Sequence, residues 1–140
     1  MAPGLTAVVI ALLAATALGL TWRARSGRIK VTAAGPSRAS DITAAELGTD
    51  LGSRATLVQF SSAFCAPCRA TRAVLADVAG LVDGVAHVEI DAESHLDLVR
   101  RLGVVRTPTT FVLDREWLIT HRASGQPRKA DVIAALGAVV

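Results

Sequence analysis

Cysteine is scarce in this sequence: there are two in 140 residues, and both lie in Phe64-Cys65-Ala66-Pro67-Cys68-Arg69. No second C-x-x-C pair is present, and His87, His95 and His121 are scattered without ligand spacing, so the other half of a closed four-ligand zinc site is missing. Charge is missing altogether from residues 1–22, MAPGLTAVVIALLAATALGLTW. No basic residue precedes this apolar run, as one would at the start of a secretory signal, although Ala15-Thr16-Ala17 has the look of a cleavage site. Internal repeats and low-complexity tracts are also lacking, which leaves a chain long enough for one ordinary domain.

The hydrophobic content of 51% exceeds what a soluble domain of this size needs, and the first 22 residues hold the excess. As a helix they would extend about 33 Å, enough to cross the roughly 30 Å hydrocarbon layer of a bilayer. We read them as a transmembrane helix ending at the interfacial Trp22, against the alternatives of a cleaved signal peptide and a buried core helix.

The net charge of +3 invites a nucleic-acid reading, and its distribution excludes one. Arg23, Arg25, Arg28, Lys30 and Arg38 follow the apolar run, whereas from residue 41 onward ten Lys and Arg face twelve Asp and Glu. A slightly acidic domain is not a phosphate-binding surface, so no nucleic-acid partner is expected. The segment 23–40 reads as a basic tether, and 41–140 as the folded domain. Lys and Arg beside a spanning helix stay on the cytoplasmic side, which places the domain in the cytoplasm, with the exported side as the alternative.

Within the domain, Thr43-Ala44-Ala45-Glu46 has the spacing of a capping box. ATLVQFSS, 55–62, is an apolar β-rich run of the kind a strand covered on both faces needs. Ala70, Val74, Leu75, Val78 and Leu81 recur at helical spacing and predict a helix over about 65–80. VAHVEID, 85–91, alternates as a strand. Ser94 is placed to cap a helix carrying Leu96, Val99 and Leu102, which Gly103 would end. The runs 109–114 and 118–123 predict a hairpin, and a last helix over about 129–138 puts Val132, Ile133 and Leu136 on one face. A short edge strand over 29–32 is possible on the pattern. The order is that of an α/β domain with a mixed sheet flanked by helices.

A C-x-x-C pair opening a helix has a defined electrostatic position. Cys65 sits where unsatisfied N–H groups and the positive end of the helix dipole favour a thiolate, and Cys68 lies one turn on, within reach of a mixed disulfide at Cys65. Pro67 suits the first turn, where a missing N–H costs little.

Two motifs in order, Phe64-Cys65-Ala66-Pro67-Cys68 and Gly103-Val104-Val105-Arg106-Thr107-Pro108-Thr109, together with this pattern of elements, resemble the thioredoxin family over residues 55–140. The resemblance implies a thioredoxin-like fold in which Pro108 is cis and packs opposite the sulfurs. It further implies that Phe64, Thr107, Pro108 and Gly125 line a groove for an extended protein disulfide or dithiol substrate. No cofactor is implied beyond a reversible Cys65–Cys68 disulfide, and electrons would come from a donor reductase or a membrane partner. A protein-disulfide reductase is therefore expected. The alternatives are a non-catalytic binding module on the same scaffold and a metal-handling dithiol protein.

Departures from the family pattern are informative. Gln59 stands where the family carries a buried aspartate, and His87 where it carries a lysine. Either the two satisfy one another by hydrogen bonding, or His87 replaces the missing proton-transfer base. Ser61 replaces an aromatic residue, Phe64 a tryptophan, and Ala73 a helix-kinking proline. Arg69 and Arg72 read as solvated helix charges.

Overall fold

The computed structural model describes residues 2–32 and 42–140. Helix α1 (Ala2–Arg25) is followed by strand β1 (Lys30–Val31), α2 (Ala44–Leu47), β2 (Ala55–Ser61), α3 (Ala66–Leu81) and β3 (Val85–Asp91). Helix α4 (Leu96–Arg101), the hairpin β4 (Thr109–Asp114) and β5 (Ile119–Ser124), and α5 (Lys129–Gly137) complete the order. The strands form one five-stranded sheet in the order β1-β5-β4-β2-β3. Among the described strands only the β2–β3 pair is parallel and the others are antiparallel, so the sheet is mixed as expected.

Every residue of β2 is buried, because the strand lies between two apolar layers. Val58 and Phe60 face a core shared with Ile42, Ile90, Leu98 and Phe111. Leu57, on the other face, meets Leu75 and Val78 of α3 and Val132 and Leu136 of α5. This double coverage holds the end of β2 rigidly in place, and the chain leaves it directly into the cysteine motif.

The ends of the helices follow local chemistry. In α2, the Thr43 side chain accepts from the Glu46 N–H while the Glu46 carboxylate accepts from the Thr43 N–H, so two otherwise orphaned donors are satisfied. After α4, Gly103 takes a φ of 60°, the left-handed conformation that ends a helix without a Cβ penalty. Arg122 then fixes that end, donating to the carbonyls of Leu102 and Gly103 at 2.9 and 2.6 Å.

Four local expectations are corrected. Ser94 does not cap α4: His95 holds that position, and the Ser94 hydroxyl donates to Asp91 instead. Leu81, Leu96 and Ile133 point to solvent. In α4 the core position is taken by Leu98, and in α5 Ala135 joins the expected Val132 and Leu136. Lys30–Val31 does pair, antiparallel to β5, through Lys30↔Arg122 and Val31↔His121. Residues 33–41, with Arg38 of the basic segment, lie outside the described residues.

Helix α1 is exposed from Gly4 to Arg25, and this stretch is long and apolar enough to cross a membrane. By length and composition it meets the test for a membrane span and equally that for a signal sequence near an N-terminus.

Candidate active site

The site is assembled where β2 gives way to α3. Cys65 is the N-cap of α3, in extended conformation, and its sulfur accepts from the Cys68 N–H at 3.2 Å. Cysteine here takes the role usually filled by a serine or aspartate oxygen, so a negative charge on the sulfur would meet both a donor and the positive end of the helix. The two sulfurs are joined as a disulfide. Their surroundings differ: Cys65 is partly exposed, whereas Cys68 is 1% exposed.

At the same end of the sheet lies the loop before β4, where Phe60 of β2 pairs with Thr109. The Thr107–Pro108 bond is cis and Pro108 is buried. The Thr107 hydroxyl is 3.0 Å from that of Ser62, which ties this loop to the cysteine loop across a separation of 45 residues. Gly125 donates its N–H to the Pro108 carbonyl at 2.8 Å and has a φ of 97°, so a side chain there would be strained. The Thr107 backbone N–H and C=O take no partner among the described residues. Phe64, fully exposed, stands on the rim. The structure thus brings Phe64, Cys65, Cys68, Thr107, Pro108 and Gly125 to one end of the sheet.

Beneath the sulfurs runs a neutral hydrogen-bonded chain. Gln59 Nε2 donates to the Cys68 carbonyl at 2.9 Å, which leaves Gln59 Oε1 as an acceptor, and His87 Nε2 lies 3.2 Å from it. His87 therefore carries its proton on Nε2 and donates to Gln59. Burial pushes the His87 pKa below its ordinary 6.5, against the pull of Glu89 and with a contribution from Arg72.

Arg72 is not a free solvated charge. It forms a forked ion pair with Glu89, at 2.6 and 2.7 Å, and Ser61 donates to the same carboxylate at 2.7 Å. The Arg72 hydrogen bond holds the Glu89 carboxyl below the usual carboxylate range. Sequence reading missed this cluster and the Ser62–Thr107 bridge, since both join residues far apart in the chain with no periodicity to flag them. Among the described residues no group of three or more His, Cys, Asp or Glu could hold a metal ion.

A family model described as Thioredoxin matches residues 40–138. This chain belongs to the thioredoxin family. Among solved structures, it resembles thioredoxin from Fasciola hepatica, at 18% identity and a TM-score of 0.55, with 64% of this chain and 84% of that chain covered. It also resembles a thioredoxin variant from Halobacterium salinarum, at 19% identity and a TM-score of 0.56, covering 61% and 74%. Spinach chloroplast thioredoxin f aligns at 19% identity and a TM-score of 0.54, covering 62% and 77%. At these identities the likeness carries the fold. No curated protein matches the chain in sequence. Family membership and the bonded cysteine pair make the chain a thiol-disulfide oxidoreductase, in a family whose chemistry needs no cofactor beyond the sulfurs.

The thioredoxin site also makes a pH prediction. In the unfolded chain His87 takes up a proton near its ordinary 6.5, while in the fold it resists protonation to lower pH. The unfolded state then binds more protons, so the contribution of neutral His87 is complete above that value and is lost as pH falls below it. His121, also lowered by burial, acts in the same direction. Melting temperature should fall between about pH 7 and about pH 5, and His87→Gln should flatten that slope, leaving the part due to His121. An identical slope in the variant would remove His87 from the account.

Proposed function

We propose that this protein is a membrane-tethered protein-disulfide reductase of the thioredoxin type. The observation that carries the reading is the asymmetry of the cysteines: a partly exposed one at the start of α3, its sulfur receiving the Cys68 N–H, and a buried one behind it.

In the reduced protein, the Cys65 thiolate attacks one sulfur of a substrate disulfide, forming the mixed disulfide and releasing the other sulfur as a thiolate, which is then protonated. Cys68 gives up its proton and attacks Cys65; the intermolecular bond breaks, the second substrate thiol leaves, and the Cys65–Cys68 disulfide forms. Two electrons have passed from the protein to the substrate. A dithiol reductase or membrane partner must return them. Thr107 offers its free backbone groups to an extended substrate segment, Pro108 shapes the groove opposite the sulfurs, and Phe64 and Gly125 line it. Gln59 and His87 are positioning residues: they hold the Cys68 carbonyl and supply no acid beside its thiol.

Tethering by α1 is supported by the way the chain continues beyond Arg25. Gly27 donates to the Ser124 carbonyl, and Lys30–Val31 join the sheet, so the residues just after the apolar helix are built into the domain. The basic flank supports a cytoplasmic domain, and cleavage of the domain by protease added to intact spheroplasts would overturn that side.

Insulin reduction tests the activity. With dithiothreitol as reductant, the full chain should speed precipitation of the insulin B chain, and no acceleration over reductant alone would refute the reductase reading.

A further inference from the structure

The exit of α1 forms part of the redox groove. Ser26 and Gly27 turn the chain back onto the domain, and the Gly27 N–H donates to the Ser124 carbonyl at 2.8 Å. Arg106 Nη2 donates to the same carbonyl at 2.7 Å, and the next residue, Gly125, donates to Pro108. A hydrogen-bonded path therefore runs from the end of the apolar helix to the cis proline before β4. The turn lies backbone against backbone on the β5–α5 loop. Gly27 has a φ of 78°, and a Cβ there would fall 1.9 Å from the Gln126 carbonyl oxygen, so no larger residue fits.

The groove so enclosed has a volume of about 820 Å³ and includes Pro67, Thr107 and Pro108 of the redox site. Among the described residues its charged lining is Arg23 from the last turn of α1, Arg28 from the turn that follows, Arg106, Arg128 and Lys129, with Asp131 as the one carboxylate. Asp131 pairs with Arg128 at 3.0 Å, and Lys129 pairs with Asp77. Arg23, Arg28 and Arg106 have no carboxylate partner among the described residues. The chain from residue 41 onward carries more acidic than basic residues, so the positive charge here comes largely from the segment that follows the apolar run, and it continues through Arg28 and Arg106 into a neighbouring groove lined by Arg25, Lys30 and Arg122.

We propose that the groove selects polypeptide substrates with acidic residues beside the reactive disulfide, and that the exit of α1, Arg23–Arg28, is a fixed wall of the substrate site. The inference rests on the reductase reading and adds the chemistry of the substrate. A segment extended along Thr107 carries the residues next to its cysteine past Arg106 and Arg28, whose planar guanidinium groups suit carboxylates. Anionic lipid is the other ligand such arginines could meet. Arg28 and Arg106 line the same space as Thr107 and Pro108, which favours the peptide.

The test uses the reduced full chain in nanodiscs of zwitterionic lipid and two disulfide peptides, identical except for Asp or Asn next to the cysteine. The Asp peptide should have a kcat/KM about tenfold higher at low salt. That ratio should approach one at high salt, where the Debye length is short. Arg23→Gln/Arg28→Gln should lose the ratio, and so should Gly27→Ala, which keeps every charge but not the wall. Arg115→Gln, which removes one positive charge from the distant hairpin turn, should keep it, and so should Arg115→Gln/Arg54→Gln, which removes two. A ratio near one in the unmodified chain, or one that survives both turn variants, overturns the inference and leaves the reductase reading standing. A ratio present in zwitterionic discs but lost in discs containing anionic lipid assigns the arginines to lipid and equally overturns it. Failure to reduce either peptide removes the reductase reading and the inference together.

Discussion

Cys65→Ser should lower the rate of disulfide reduction at least about a thousandfold, while Cys68→Ser should stop turnover with one substrate still attached. The two outcomes differ because the sulfurs do. Cys65 is partly exposed, and in the reduced protein a charge on its sulfur would meet the Cys68 N–H at the start of α3. A serine oxygen in its place remains protonated and does not open a disulfide. Cys68, 1% exposed, cannot meet a protein disulfide first, but it lies one turn away from any bond made at Cys65. Without its sulfur the mixed disulfide has no intramolecular exit and should accumulate. Non-reducing gels and intact mass spectrometry after mixing with a disulfide substrate would show a stoichiometric adduct in Cys68→Ser and none in Cys65→Ser. An adduct on Cys68 in the Cys65→Ser protein would reverse the assignment of roles.

Phe60→Ala should cost about 3–5 kcal/mol of stability, the usual range for removing a fully buried aromatic ring. Phe60 has no solvent exposure and meets Phe111 edge to face, with ring centroids 5.8 Å apart. Truncation would leave a cavity between β2 and the α4 side of the core, lined by residues already fixed by the sheet and unable to close it. The register pairs Phe60 with Thr109, just after the cis proline, so the same ring supports both halves of the site. A guanidinium titration followed by circular dichroism would measure the loss. A fall in melting temperature of about 10 °C or more should accompany it. A loss below about 1 kcal/mol would mean that the core relaxes into the space, contrary to its dense packing.

Much of this was legible from local sequence signals. The Thr43–Glu46 box, the helix-ending Gly103 and the apolar run of β2 each act within a few residues of themselves, so spacing alone exposes them. The C-x-x-C motif was legible for the same reason, since a strand feeding a helix determines the surroundings of its first sulfur. Short helices were harder to read. With each residue turning by about 100°, Leu96 and Leu98 stand on nearly opposite faces, and the six residues of α4 are too few for spacing to show which face turns inward. Contacts between distant segments left no trace. Nothing near Arg72 announces Glu89, and the fit of Gly27 against Gln126 depends on how β5 ends. The pairing of Gln59 with His87 could be posed as a question from their places in adjacent strands, but its orientation came only with the hydrogen bonds around the Cys68 carbonyl.

The two-residue strand β1 has a consequence for how the molecule keeps to itself. An unpaired border strand is a template for joining another chain, and the six residues of β5 would present such a border if nothing covered them. Lys30–Val31 occupies part of that margin, is too short to propagate pairing, and adds a lysine that discourages it. A fragment cut after Thr32 to remove the apolar helix would also strip this guard and gain a sticky flank, so a version meant to stay monomeric in solution should begin at or before Gly27.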